Sequence, residues 1–190
     1  MTRTFIAVEL GSRTRDALAA TIRDLAEALP DVRFVDPASM HLTLAFLGEL
    51  DDERLELAHE ATAIAAREHE SFELAVDGLG VFGPRRAPRV IWAGVSGATD
   101  RLLAVQRRLT DELIARGFPP EERAYSPHLT LARLKRPLTG DELTRLERFV
   151  HTPVVDPAPI PVTSLDVMKS ELTRTGALYT YLRRYSLASR

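Results

Sequence analysis

The pentapeptide His-Leu-Thr-Leu-Ala begins at His41 and again at His128, in a chain of 190 residues that holds only 5 histidines. Side chains alternate along a strand, so His41, Thr43 and Ala45 would point one way and Leu42, Leu44 and Phe46 the other. His128, Thr130 and Ala132 repeat the arrangement. One copy has an ordinary explanation, since a lone histidine beside leucines is commonly a satisfied structural residue and threonine favours strands. Two copies are harder to dismiss. Core positions drift among Leu, Ile and Val, whereas paired polar residues on an open face have no packing reason to match.

Two imidazoles and two hydroxyls facing one another suit in-line displacement at phosphorus. That reaction needs a base behind the attacking oxygen and an acid on the leaving oxygen. Imidazole titrates near neutrality and fills either role. Hydroxyls can donate to the non-bridging oxygens where charge accumulates. A metal site is the weaker reading, because His-x-Thr is not a ligand spacing and no carboxylate cluster accompanies it. The site is therefore expected to use no metal and no cofactor. His59 and His69 fall on different faces of a predicted helix, and His151 lies beside a loop. All three read as solvated surface.

The elements that would position the motifs occur in a repeating order. TFIAVEL (4–10) reads as a strand, and 12–29 as a helix with Leu18, Ile22, Leu25 and Leu29 on one face, Ser12 as its N-cap and Pro30 as its stop. VRFV (32–35) is short and extended, and the first His-x-Thr strand follows. A helix over 52–69 and a strand over 71–82 complete the unit. After the basic turn GPRRAPR (83–89) the series restarts. It runs through a strand over 89–95, a helix over 99–116, the second His-x-Thr strand over 125–134 and a helix over 140–150. A proline-rich link (153–161), a strand over 162–172 and a strand over 179–187 close it. Shifting the first half by 87 positions (41 to 128) lays Phe5 on Trp92 and Val8 on Val95.

The fold expected is α+β: a duplicated strand-helix-strand-helix-strand unit forming two pseudo-symmetric lobes, with mainly antiparallel sheets flanking a central groove. The chain (1–190) is expected to form one domain, with internal repeats at roughly 3–82 and 89–187. Strands can interleave between the lobes, so the turn at 83–89 is not read as a domain boundary.

Composition narrows the function classes. A formal net charge of −2 excludes coating of nucleic acid by bulk electrostatics and leaves local contact with an end or a nucleotide. The absence of cysteine excludes disulfides and thiolate chemistry. The first residues lack a signal-peptide pattern, and no apolar stretch approaches a membrane span, so a cytoplasmic protein without membrane association is expected. No obligatory protein partner is evident.

The segments RTFIAVEL, PASMHLTLAFLGEL, LGVFGPRRAPRVIWAGV, GFPPEERAYSPHLTLARLK and SLDVMKSELTRTGALYTYL resemble the 2H phosphoesterase superfamily, defined by two His-x-Thr/Ser-x (HxTx) motifs. The likeness runs nearly end to end. Tyr125-x-Pro-His128 and Gly176-x-x-Tyr179 are most similar to the bacterial RNA 2′,3′-cyclic phosphodiesterases, first known as 2′-5′ RNA ligases. The resemblance implies hydrolysis of 2′,3′-cyclic phosphate ends of RNA or nucleotides to 2′-phosphates. It implies His41 as proton donor and His128 as proton acceptor, with Thr43 and Thr130 on the phosphate. The residues themselves leave the two histidine roles interchangeable.

Arg133 lies just past the second motif, where related enzymes often carry an arginine that holds phosphate. Strict alternation turns it to the Leu129/Leu131 face, and only a twist, bulge or strand end would bring it to the groove. Tyr125, Phe5 and Phe46 are candidates for stacking a base, with Phe46 on the helix-facing side by alternation. GPRRAPR could grip phosphates further along an RNA. Alternatives are a 2′-5′ oligonucleotide phosphodiesterase using the same groove and a nucleotide-binding module without catalysis.

Overall fold

Leu18 and Leu25 lie two turns apart on one apolar stripe, and that stripe drives helix α1 (Ser12–Ala28) onto the core, where both are fully buried. In α3 (Thr99–Ala115) the stripe is Leu102, Val105, Leu109 and Leu113, all buried. Side chains cap the other two helices. Asp51 accepts from the Arg54 N–H at 2.9 Å before α2 (Asp52–Arg67), whose first turn carries Asp52 and Glu53. Thr139 and Glu142 exchange backbone bonds of 2.7 and 3.3 Å at the start of α4 (Gly140–Val150), forming a capping box. α1 begins at Ser12 itself. The capping position belongs to Gly11 and has no side-chain bond, one residue before the expected cap.

The structure, a computed structural model, describes residues 1–150, 158–172 and 177–189. His151 and the first part of the proline-rich link, 153–157, lie outside the described residues. The strands are β1 (Thr2–Glu9), β2 (His41–Leu50), β3 (Phe72–Phe82), β4 (Val90–Gly97), β5 (Leu129–Arg133), β6 (Pro159–Val162), β7 (Ser164–Leu172) and β8 (Ala177–Ser186). They form two four-stranded antiparallel sheets, ordered β2-β1-β7-β8 and β5-β4-β3-β6. With the helices these make the two lobes of an α+β fold.

One strand of the first sequence unit, β3, lies in the second unit's sheet, and two strands of the second unit, β7 and β8, lie in the first unit's sheet. β3 follows α2 in the chain but pairs with β4 and β6, while β7 returns to pair with β1. The lobes are thus exchanged in space, because hydrogen-bond partners are chosen by register and packing and not by chain proximity. β6 occupies 159–162, part of which reads in sequence as a link. Its prolines are tolerated because it is an edge strand. The second His strand is shorter than expected, running only over Leu129–Arg133; the Pro127 ring removes a ladder donor just before it. Residues 32–35 form no full strand, only an isolated bridge between Phe34 and Ala132.

The motif strands β2 and β5 are both edge strands, and these edges adjoin. Leu42, Leu44, Leu129 and Leu131 turn inward to the main core beside Ile6, Val8 and Ile91. Truncating one of these leucines to alanine would cost about 2–5 kcal/mol, which holds the alternation in place. The opposite face of the first sheet carries a small separate cluster of Phe5, Ala7 and Met168, with Tyr179 against it. No helix among the described residues is long and apolar enough to cross a membrane.

Candidate active site

Each histidine of the repeated motif is held by a carbonyl two residues before it. His41 Nδ1 lies 3.1 Å from the Ser39 carbonyl oxygen, and His128 Nδ1 lies 2.7 Å from that of Ser126. A carbonyl can only accept, so Nδ1 carries the hydrogen and Nε2 is left as the nitrogen with a lone pair. Both rings are half-buried, and aromatic side chains fix their planes. His41 sits 4.6 Å from the Phe5 ring and meets Tyr179 edge-on at 4.8 Å. His128 meets Phe82 edge-on at 4.8 Å, and Phe82 in turn lies 5.2 Å from Trp92.

Matching irregularities in the two motif strands decide what else faces the groove. β1 pairs Ala7 with Thr43, then Ile6 with Ala45 and Phe5 with Phe46, so Leu44 is an extra residue. β4 pairs Trp92 with Thr130, then Ile91 with Ala132 and Val90 with Arg133, so Leu131 is extra in the same way. A bulge of this kind restarts the alternation one residue late. Ala45 and Ala132 therefore turn into the core, not outward beside the histidines as the pattern predicts. Phe46 and Arg133 turn the other way, onto the His/Thr face. The expected side of Phe46 is corrected by this bulge, and Arg133 reaches the groove by the route that alternation alone forbids.

His41 is held below the usual imidazole range, first by burial and then by the positive charge of Arg133. Arg133 thus acts electrostatically across the groove, on the histidine of the other lobe. Tyr125 bridges the lobes as well. Its hydroxyl donates to the Thr43 carbonyl at 3.1 Å, its ring packs on the core, and burial raises its pKa. This makes it a brace between the motif strands, not an open platform. Phe5 is only 2% exposed and lies under His41, so no face is left free for a base.

A cavity of about 110 Å³ opens beside His41, lined among others by Glu9, Arg15, Asp166, Tyr179 and Tyr181. It does not reach His128. Its charged groups are largely engaged with one another. Arg15 and Arg184 donate to Glu9, and Arg184 Nε donates to Asp166 at 2.7 Å. Sequence reasoning missed this network and the contacts of Tyr179 and Phe82, because each depends on strands distant in the chain. Among the described residues no three His, Asp or Glu side chains converge as a metal-binding group.

His59 departs from expectation. It is 5% exposed, with Nδ1 unpartnered among the described residues. α2 is pressed between α3 and the strands β7 and β8, so its Ala58–Ala66 face, which includes His59, is covered. His69 is half-buried, with Nδ1 2.8 Å from the Ala65 carbonyl. Neither lines the cavity beside His41.

The model of the LigT-like phosphoesterase family matches the chain twice, over residues 8–92 and 94–179. The chain belongs to the LigT-like phosphoesterase family. Among relatives of this LigT-like phosphoesterase, the RNA 2′,3′-cyclic phosphodiesterase of Methanothermobacter thermautotrophicus is 34% identical over 97% of this chain and 98% of its own. That of Thermotoga maritima is 33% identical over 95% and 92%. Escherichia coli LigT complexed with 3′-AMP superposes with a TM-score of 0.74 at 25% identity, covering 98% of both chains. A Thermus thermophilus protein, TT0787, gives 0.74 at 30% identity, covering 97% of both.

Proposed function

We propose that this protein is a cytoplasmic, metal-independent RNA 2′,3′-cyclic phosphodiesterase that works as one domain. The observation that carries the proposal is the matched pair of Nδ1–carbonyl contacts, which leaves two Nε2 atoms as proton carriers on facing motif strands. His128 takes a proton from water as its oxygen bonds to phosphorus. The bond from phosphorus to the ribose 3′-oxygen breaks, and His41 delivers its proton there, leaving a 2′-phosphate. Thr43 and Thr130 donate to the non-bridging oxygens, and Arg133 offsets their charge. The choice of 2′ product and of His41 as donor rests on family resemblance. Relatives named RNA 2′,3′-cyclic phosphodiesterase and a LigT structure complexed with 3′-AMP support the substrate class.

The depressed pKa of His41 requires an account if it is the acid. Burial and Arg133 both favour the neutral ring in the free protein. A bound phosphodiester anion neutralises Arg133 and adds negative charge beside the ring, so protonation of His41 is coupled to substrate binding. With a 5′-hydroxyl in place of water, the same displacement joins a cyclic end to that hydroxyl through a 2′-5′ linkage, and its reverse regenerates the cyclic end.

The test is incubation of adenosine 2′,3′-cyclic phosphate, and of an RNA oligomer with a cyclic end, in the presence of EDTA. Adenosine 2′-phosphate and a 2′-phosphorylated end are expected. Loss of turnover on chelation with rescue by a divalent ion would overturn the metal-free mechanism. Binding without turnover would favour the non-catalytic module, and cleavage of 2′-5′ oligonucleotides alone would favour the other phosphodiesterase.

A further inference from the structure

The two carbonyls that hold the histidines are themselves held by different means. That of Ser126 precedes Pro127, and a proline ring confines the residue before it to extended backbone, so covalent structure sets the direction of this carbonyl. Ser39 is followed by Met40 and has no such restraint. Its carbonyl closes a single 3-10 turn, Pro37–Ser39, and hydrogen bonds alone give that turn its direction.

A turn this short has few bonds to hold it. The Ser39 N–H donates to the Asp36 carbonyl at 2.8 Å, and the Met40 N–H donates to the Pro37 carbonyl at 3.2 Å. The Asp36 carboxylate supplies the third bond, accepting from the Ala38 N–H at 2.9 Å as an N-cap. Just before Asp36 the chain is anchored on the other motif strand. The Val35 N–H donates to the Leu131 carbonyl at 2.7 Å, and Phe34 bridges Ala132. Asp36 is exposed and does not line the cavity beside His41, whereas Ala38 and Ser39 do. Its route to the histidine is therefore the turn.

We propose that Asp36 is a positioning residue for His41: by capping the turn it aims the Ser39 carbonyl at Nδ1, and so keeps the ring hydrogen there and the lone pair on Nε2. Its effect on turnover rests on the phosphodiesterase reading; its effect on the ring does not. The bond to Ser39 favours the protonated ring and opposes burial and Arg133, so loosening it should lower the His41 pKa further. Arg133 on β5, Glu9 on β1, Arg15 on α1, Asp166 on β7, and Tyr179 and Tyr181 on β8 face His41 or its cavity, and a change at Asp36 leaves all six in place.

The experiment compares Asp36→Ala with Asp36→Asn, which removes the charge and keeps the capping oxygen. In Asp36→Ala, kcat for adenosine 2′,3′-cyclic phosphate should fall about tenfold with KM little changed. The His41 limb of its kcat/KM profile should move to lower pH. Asp36→Asn should restore both. A full rate in Asp36→Ala, a slow variant whose limb stays in place, or an asparagine variant as poor as alanine overturns the role. A second arm needs no turnover and reads the His41 ring nitrogens by NMR at a pH where the ring is neutral. Wild type and Asp36→Asn should show the hydrogen on Nδ1, and Asp36→Ala a mixture of the two tautomers. The same tautomer state in all three proteins also overturns the role. If the wild type hydrolyses no cyclic phosphate, the phosphodiesterase reading fails, and the NMR arm decides the positioning role separately.

Discussion

The His41 and His128 sides of the groove share a frame and differ in what surrounds it. Each has a histidine held at Nδ1 by a carbonyl two residues earlier, a threonine on the same face, and a bulge one residue after that threonine. The flanks diverge. His41 is wedged between Phe5 and Tyr179 beside a charged cavity, and its pKa is depressed; among the described residues His128 has one aromatic neighbour, Phe82. The residue flipped outward by the bulge is Phe46 on one side and Arg133 on the other. The duplicated part repeats an imidazole and a hydroxyl, the groups that the proposed in-line reaction needs on both sides of phosphorus. The part that has diverged separates functions that need not be symmetric, an aromatic surface on one side and a cation on the other.

The largest effect should come from breaking the shared frame. His41→Ala and His128→Ala should each lower turnover about 10²–10⁴-fold while leaving thermal unfolding nearly unchanged, and each should remove a different limb of the bell-shaped pH profile. A variant that keeps near-normal turnover removes that histidine from the mechanism.

The threonines test whether the frame is equally shared by the two lobes. Thr43→Ala and Thr130→Ala should each cost up to about 10²-fold in kcat, with the bell shape retained. Serine at either position should recover much of the rate. Serine variants as slow as alanine variants would show that the methyl group, and so packing, is what these positions supply.

Stability separates the flanks. Gly80 lies under Trp92, and a Cβ there would sit 2.1 Å from the indole ring. Gly80→Ala should therefore destabilise the protein by about 1–3 kcal/mol and shift the emission of its single tryptophan. Gly78→Ala, with nothing within 4 Å, is the control. Equal unfolding midpoints for the two variants would mean that the Trp92 side is loosely packed.

Arg133 gives a smaller effect, read in pH. Its charge lowers the His41 pKa, so Arg133→Ala should move the His41 limb of the kcat/KM profile to higher pH, and Arg133→Lys should not. The same limb position in all three proteins would remove the electrostatic link between the lobes.

The smallest effect is expected from His59, away from both sides. Burial lowers its pKa in the folded state, so the unfolded chain takes up a proton first as pH falls through about 6.5. Its destabilising contribution should be absent above that pH and grow below it. Comparing unfolding midpoints of wild type and His59→Gln at pH 7.5 and 5.5 measures it.

Much of this was legible in the sequence because it depends on short-range periodicity. Leucine alternating with histidine and threonine defines two faces of a strand, and four apolar residues in helical phase define α3. The pentapeptide repeat marks polar positions that packing does not explain. The faces of Ala45, Phe46, Ala132 and Arg133 could not be read this way. A bulge belongs to a pair of strands, and its extra residue is visible only when the partner's register is known. The exchange of β3 and β7 between lobes was hidden for the same reason, since their partners lie far away in the chain. Burial of His59 depends on α3, β7 and β8 closing over one face of α2. The sequence by itself determined the two His-x-Thr units and the chemistry they suit, because residue type and period-two alternation are local properties. Only the tertiary structure decided which neighbours join each histidine, because register, strand exchange and burial are settled between segments that the chain does not place side by side.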